Sequence, residues 1–189
     1  LEKDSQSASS NRISYRDMRS PHGFIVSPLG GKLYSTKTSS SKLGLSVSNG
    51  IDDGKSSNRF GVVKLLPSYY NGSIKIGDTV LVHHNVFRKY NDYDGIERFS
   101  VDFFEGEDYL IKDDQIFAYS DGDSWTTTGD NILVEPYDHE LHGRVVYSND
   151  NVTIKPGDEI IFTPESEYEF YIDGNLFYKM TTDDVCMIK

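Results

Sequence analysis

Two histidine pairs are the first places where this sequence could do chemistry. His139 and His142, in His-Glu-Leu-His, could offer two imidazoles from one helical turn to a metal ion. The zinc-protease pattern, however, places its histidines four apart in His-Glu-x-x-His and adds a third ligand, so a short polar hairpin is the better reading. His83 and His84 are adjacent, and on a strand their side chains would point to opposite faces, where they do not chelate one ion. Asp121, Asp123 and Asp130 are spaced loosely like a calcium loop but lack its ordered glycine and terminal glutamate. Two acid pairs, Asp113-Asp114 and Asp183-Asp184, read as turn-forming carboxylates ahead of a strand rather than as a catalytic dyad. Neither a glycine-rich phosphate loop nor a nucleophile elbow nor a cysteine pair is written in the chain. These residues predict no enzyme, no metal and no cofactor.

The elements that must position such groups follow from composition. Thirteen Tyr and ten Phe, with many Val and Ile, favour strands, and no stretch keeps a 3.6-residue period. No segment reaches the roughly 18 apolar residues of a membrane span. One cysteine, Cys186, permits no internal disulfide and suits a reducing compartment, so a cytoplasmic location is expected. Residues 1–120 carry 15 acidic and 15 basic side chains, whereas residues 121–189 carry 15 acidic and 4 basic, so the whole net charge of −11 sits in the last third. Such a surface repels phosphate backbones and argues against nucleic acid as a partner.

Along the chain, residues 1–20 are polar and aperiodic and are expected to be a flexible arm. A second loose stretch, about 30–58, is rich in Ser, Gly, Lys and Asp and exceeds the length of ordinary loops. Within it lies an apolar island, Leu43-Gly44-Leu45-Ser46-Val47. The rest reads as short strands, among them 23–29, 61–66 and 78–87. A polar connector covers 120–129, and Asp173-Gly174 forms a two-residue hairpin turn.

The strands come in an order that occurs twice. Phe-Ile-Val-Ser-Pro at 24–28 is matched by Ile-Leu-Val-Glu-Pro at 132–136, and Gly61-Val62-Val63 by Gly143-Arg144-Val145-Val146. Ile-Lys-x-Gly-Asp begins at Ile74 and again at Ile154. An aromatic strand, an acid pair and a last strand close each set, at 109–119 and 178–188. This is the signature of a duplicated small β domain, 21–119 and 130–189.

That order resembles the GroES-type co-chaperonins, whose subunit runs from an aliphatic x-Pro strand through a mobile loop and a Gly-Val strand to a Lys-x-Gly-Asp turn and a closing strand with paired acids. The resemblance implies an all-β fold of two tandem small GroES-like β-barrels, with a polar arm at the start and a long mobile loop in the first barrel. It implies a lid that binds an ATP-driven GroEL-type chaperonin ring and helps enclose its folding cage. The family's loop contact falls on Leu43, Gly44, Leu45, Ser46 and Val47. Tyr-Asp-His-Glu-Leu-His leaves no room for a loop in the second barrel, so that barrel is expected to be structural. One loop per chain would match a seven-site ring with a homo-oligomer of seven chains. The unusual architecture would suit a viral version acting in a host cytoplasm. The competing reading is a structural or interaction protein, such as a virion component or ring scaffold, that kept the duplicated barrel without the chaperone role.

Overall fold

The computed structural model describes residue 15 and residues 18–31, 58–137 and 139–189. In chain order its strands are β1 (Phe24–Pro28), β2 (Phe60–Leu65), β3 (Thr79–Val82), β4 (Lys89–Asn91), β5 (Glu97–Phe99), β6 (Phe103–Glu105), β7 (Asp108–Ile111) and β8 (Ile116–Ser120). They continue with β9 (Trp125–Thr127), β10 (Asn131–Pro136), β11 (His142–Tyr147), β12 (Glu159–Phe162), β13 (Tyr168–Ile172), β14 (Asn175–Thr181) and β15 (Val185–Ile188). Three single 3-10 turns, Leu29–Gly31, Asp113–Gln115 and Thr182–Asp184, are the helical content of the described residues. The all-β expectation holds. No helix among the described residues is long and apolar enough to cross a membrane.

The strands form a seven-stranded sheet in the order β6-β7-β1-β2-β3-β8-β9, a six-stranded sheet in the order β13-β14-β10-β11-β12-β15, and a separate β4-β5 hairpin. The repeated sequence order is a repeated pairing order. β1 pairs β2 with Pro28 opposite Gly61 and a bulge between Ile25 and Val26. β10 pairs β11 with Pro136 opposite Gly143 and a bulge between Leu133 and Val134. The two closing strands repeat the match: β8 joins β3 with a shift at Leu81/Val82, and β15 joins β12 with a shift at Ile161/Phe162.

The turn residues explain why both copies fold alike. In each Lys-x-Gly-Asp turn the aspartate accepts from the lysine N–H, Lys75 N to Asp78 Oδ2 and Lys155 N to Asp158 Oδ2, both at 2.8 Å. The glycines take left-handed φ values of 98° and 99°, at Gly77 and Gly157, which cost other residues strain. Gly61 and Gly143 have a different reason. A Cβ on Gly61 would come within 2.9 Å of Phe87, and one on Gly143 within 2.4 Å of Val134. These positions are glycines because neighbours already fill the space.

Each set of strands packs its own core. Phe24, Val26, Val63, Ile74, Val80, Val82 and Ile111 are buried together in the first half. Ile132, Val134, Val145, Ile154, Ile160, Phe162 and Met180 take the equivalent places in the second. A third cluster lies between the halves and draws on both: Leu81, Phe117 and Ala118 from one, Leu133, Phe170, Ile172 and Phe177 from the other. The halves are therefore joined by a core of their own rather than by a tether.

Two expectations need correction. The strand read over 78–87 stops at Val82, and the chain turns at once, with Val86 N donating to His83 O at 3.0 Å. The stretch read as a polar connector carries a strand, β9, which adds to β8 with Ala118 opposite Thr127 and Ser120 opposite Trp125. Its three residues, Trp-Thr-Thr, pair the β8 edge and leave Thr127 buried.

Candidate functional site

The five residues of the apolar island, Leu43, Gly44, Leu45, Ser46 and Val47, lie outside the described residues. What is described is the frame from which that segment departs. β1 ends at Pro28, and Leu29, Gly30 and Gly31 turn outward, both glycines with positive φ and Leu29 exposed. The chain returns at Asn58, whose Nδ2 donates to Leu29 O at 3.1 Å and whose Oδ1 accepts from Phe60 N at 2.9 Å. One amide side chain thus ties the departing strand to the returning one. On the neighbouring edge Asp108 accepts from Ser27 Oγ and, at 2.6 Å, from Tyr15 Oη. Burial beside that carboxylate holds the Tyr15 phenol well above its ordinary range.

The equivalent connection in the second half is short. β10 passes to β11 through 137–141, closed by Tyr137 N donating to His142 O at 3.0 Å, with Leu141 at φ 61°. His139 and His142 sit on this hairpin with ring centroids 6.1 Å apart. The hairpin reading of His-Glu-Leu-His is correct, and no group of three or more His, Cys, Asp or Glu among the described residues could hold a metal.

Behind the returning strand lies a polar seam between the halves that sequence reasoning missed. Arg59, buried just before β2, donates to Glu169 O at 2.6 Å and stacks 4.5 Å over the Tyr168 ring. Tyr168 Oη accepts from His84 N at 3.1 Å and also meets His84 Nδ1. Because β3 ends early, His83 and His84 do not diverge: their rings lie 4.2 Å apart and both face Tyr168. Burial, followed by the nearby charges of Arg59 and Lys179, pushes the His83 imidazole below its usual pKa. Burial likewise lowers Lys179, whose ammonium sits 4.6 Å from the Phe117 ring centroid. The seam has the character of a lock: a buried Arg59 hydrogen-bonded across the join and a half-buried Lys179, each over an aromatic face. The adjacent histidines, read as lying within a strand, were its only trace in the sequence.

A cleft of about 590 Å³ opens on another side of the same join, between Tyr70–Ile74 of the first half, 149–151 of the second and 126–129 of β9 and its turn. Three carboxylates, Asp113, Asp114 and Asp150, line it with hydroxyls and amides; among the described residues no Lys, Arg or His is in its wall, and Lys155 Nζ donates to the carbonyls of Asn149 and Asp150 at 3.3 Å. The Asp113-Asp114 and Asp183-Asp184 pairs fall in 3-10 turns just before β8 and β15, as turn-forming acids should.

Comparison of the sequence with protein-family models gives no match, and neither does comparison with curated proteins.

Proposed function

We propose that this chain is a co-chaperonin-like lid, a non-enzymatic partner of a GroEL-type chaperonin ring that engages the ring through Leu43–Val47 and helps to close its cage. One observation carries the reading. The two halves share strand order, register, bulges and turns, yet the connection after the x-Pro strand is residues 29–59 in the first and 137–141 in the second. A long insert at one of two otherwise matched places is what a chain with a single binding handle requires. Its alternating Leu-Gly-Leu-Ser-Val suits an extended segment set into an apolar groove, with the entropy of ordering opposing the contact. Asn58 and the Leu29–Gly31 turn fix where such a handle begins and ends. The two sets of strands would each be a small GroES-like barrel, with the second supplying wall and the chaperonin supplying the nucleotide chemistry.

Amide exchange tests this. Adding a bacterial-type chaperonin with ADP should slow exchange within residues 32–57 and leave 137–141 unchanged. Equal exchange with and without the chaperonin would remove the reading. The structural-scaffold reading has its own support in the apolar strand edge at β15, where Met187 and Ile188 are exposed. It predicts self-assembly with no response to the chaperonin.

A further inference from the structure

The cleft at the join between the halves belongs neither to the handle nor to the seam. Its volume of about 590 Å³ falls within the range of about 300–1,000 Å³ common to small-molecule sites, which gather where two packed units meet. Its deepest lining is apolar, with Phe24, Ile74 and Ile116 only 0%, 4% and 1% exposed. The half-buried Tyr70 and Tyr119 continue that floor toward the mouth. Tyr70 is fixed there: its ring stands edge-on to Phe24 with centroids 4.8 Å apart, and its Oη accepts from Ile74 N at 3.1 Å.

The rest of the wall is polar, and part of it is set by hydrogen bonds of its own. Asn149 Nδ2 donates to Thr127 Oγ1 at 3.1 Å and to Gly129 O at 2.8 Å, and its Oδ1 accepts from Asn151 N at 2.9 Å. Those bonds occupy the Asn149 amide and hold the 149–151 turn of the second half against β9. Across the cleft, Tyr69 Oη donates to Asp113 Oδ1 at 2.9 Å and steadies the turn that carries Asp114. The side chains of Asp114, Asp150 and Asn151 also line the cleft, and they make no hydrogen bond among the described residues. A rigid frame thus presents polar groups that are still open to a ligand.

What those groups ask of a ligand follows from their donors and acceptors. A carboxylate only accepts, so the ligand must donate; an amide does both, so the ligand must also accept. The floor asks for C–H surface. An alkylammonium ion donates only and a fully ionised phosphate accepts only, so each leaves part of the wall unmatched. Neighbouring hydroxyls on a sugar ring donate and accept together, and the C–H face of such a ring suits the apolar body of a tyrosine. We infer that the cleft is a binding site for a neutral saccharide, with Asp114, Asp150 and Asn151 taking its hydroxyls and Tyr70 and Tyr119 lying under its ring. The site stands apart from the chaperonin reading, because no residue of Leu43–Val47 enters it.

The test is a printed array of neutral oligosaccharides of hexoses and N-acetylhexosamines, probed with the labelled full chain and no chaperonin. The best-bound saccharide is then titrated by saturation-transfer NMR against the parent chain and three variants. Asn151→Ala and Asp114→Ala should each weaken binding by about tenfold or more, as the loss of a hydrogen-bonding partner does. Asp114→Asn, whose amide oxygen still accepts, should stay within about threefold of the parent. All three changes fall at exposed positions, and unchanged circular dichroism checks that each variant folds. Spermidine at matched ionic strength should not displace the saccharide. A parent chain that binds nothing on the array would overturn the inference, and so would binding that neither alanine replacement weakens. Displacement by spermidine that Asp114→Asn abolishes would mark a cation site and would overturn it equally.

Discussion

Replacing Phe177 with Ala probes the join between the halves most sharply. Phe177 is 6% exposed in the shared cluster, with Phe170 at 6.1 Å and Tyr147 at 6.0 Å between ring centroids. A buried aromatic ring removes about 150–250 Å² from water, which at about 25 cal/mol per Å² is worth about 4–6 kcal/mol. Truncations of buried Phe to Ala cost about 3–5 kcal/mol, so the two routes agree. With a urea slope of about 2 kcal/mol per M, the midpoint should fall by about 1.5–2.5 M. The assay is urea unfolding followed in parallel by circular dichroism and by fluorescence of Trp125, the one tryptophan, which sits on β9 with its ring 5.8 Å from Phe60. Because the cluster takes residues from both halves, the two signals should move together in one transition. Tyr171→Ala, on the neighbouring strand β13 and 54% exposed, should change stability by no more than about 0.5 kcal/mol. Two separate transitions, with the first half unmoved by Phe177→Ala, would refute the claim that the halves fold as one body.

Other outcomes follow from the same geometry. Gly143→Ala should cost about 1–3 kcal/mol in thermal or urea unfolding, because its Cβ would meet Val134 at 2.4 Å, with Gly61→Ala at the lower end against the side chain of Phe87. Asp78→Ala removes the acceptor for Lys75 N at a buried turn and should cost about 1–2 kcal/mol, measured by the same unfolding curves. The His83 imidazole has its pKa lowered from the ordinary 6.5 by burial and by Arg59 and Lys179. The unfolded chain therefore binds a proton that the folded chain resists, and stability falls as pH drops below about 6.5 toward the folded value. Asp102, raised by burial above its ordinary 3.8, acts in the opposite sense and in a more acidic window. Unfolding midpoints compared at about pH 7.5 and about pH 5.5 should differ less in His83→Phe than in the parent. An equal pH dependence in the two would remove His83 from the account.

The features legible in the sequence were the local ones. Gly-Asp at 77–78 and 157–158 announces a tight turn, because the conformation needs glycine and the aspartate bonds a backbone N–H three residues away. Asp173-Gly174 closes the β13–β14 hairpin with Ile172 opposite Asn175, as a two-residue turn should. The repeated x-Pro and Gly-Val strands gave the pairing order, since a register repeated twice leaves its mark twice. What stayed hidden depends on partners far along the chain. The alternating stretch from Val80 to Val86 reads as one strand, yet Val86 and Phe87 enter the core from a turn. β9 looked like a linker because its three residues form a strand only on the β8 edge. The seam of Arg59, His84 and Tyr168 joins positions more than eighty residues apart, a relation that periodicity does not carry. The island at Leu43–Val47 was legible as an apolar exception in a polar segment, and the role proposed for it is chaperonin contact.

That role is tested most directly by mixing the chain with a bacterial-type chaperonin and ATP or ADP and weighing the products by native mass spectrometry. The lid account predicts a nucleotide-dependent complex that is lost when Leu43, Leu45 and Val47 are replaced together by Ser, while the circular dichroism of the chain is unchanged. No complex from the parent chain under either nucleotide, or a complex indifferent to the triple replacement, would contradict it.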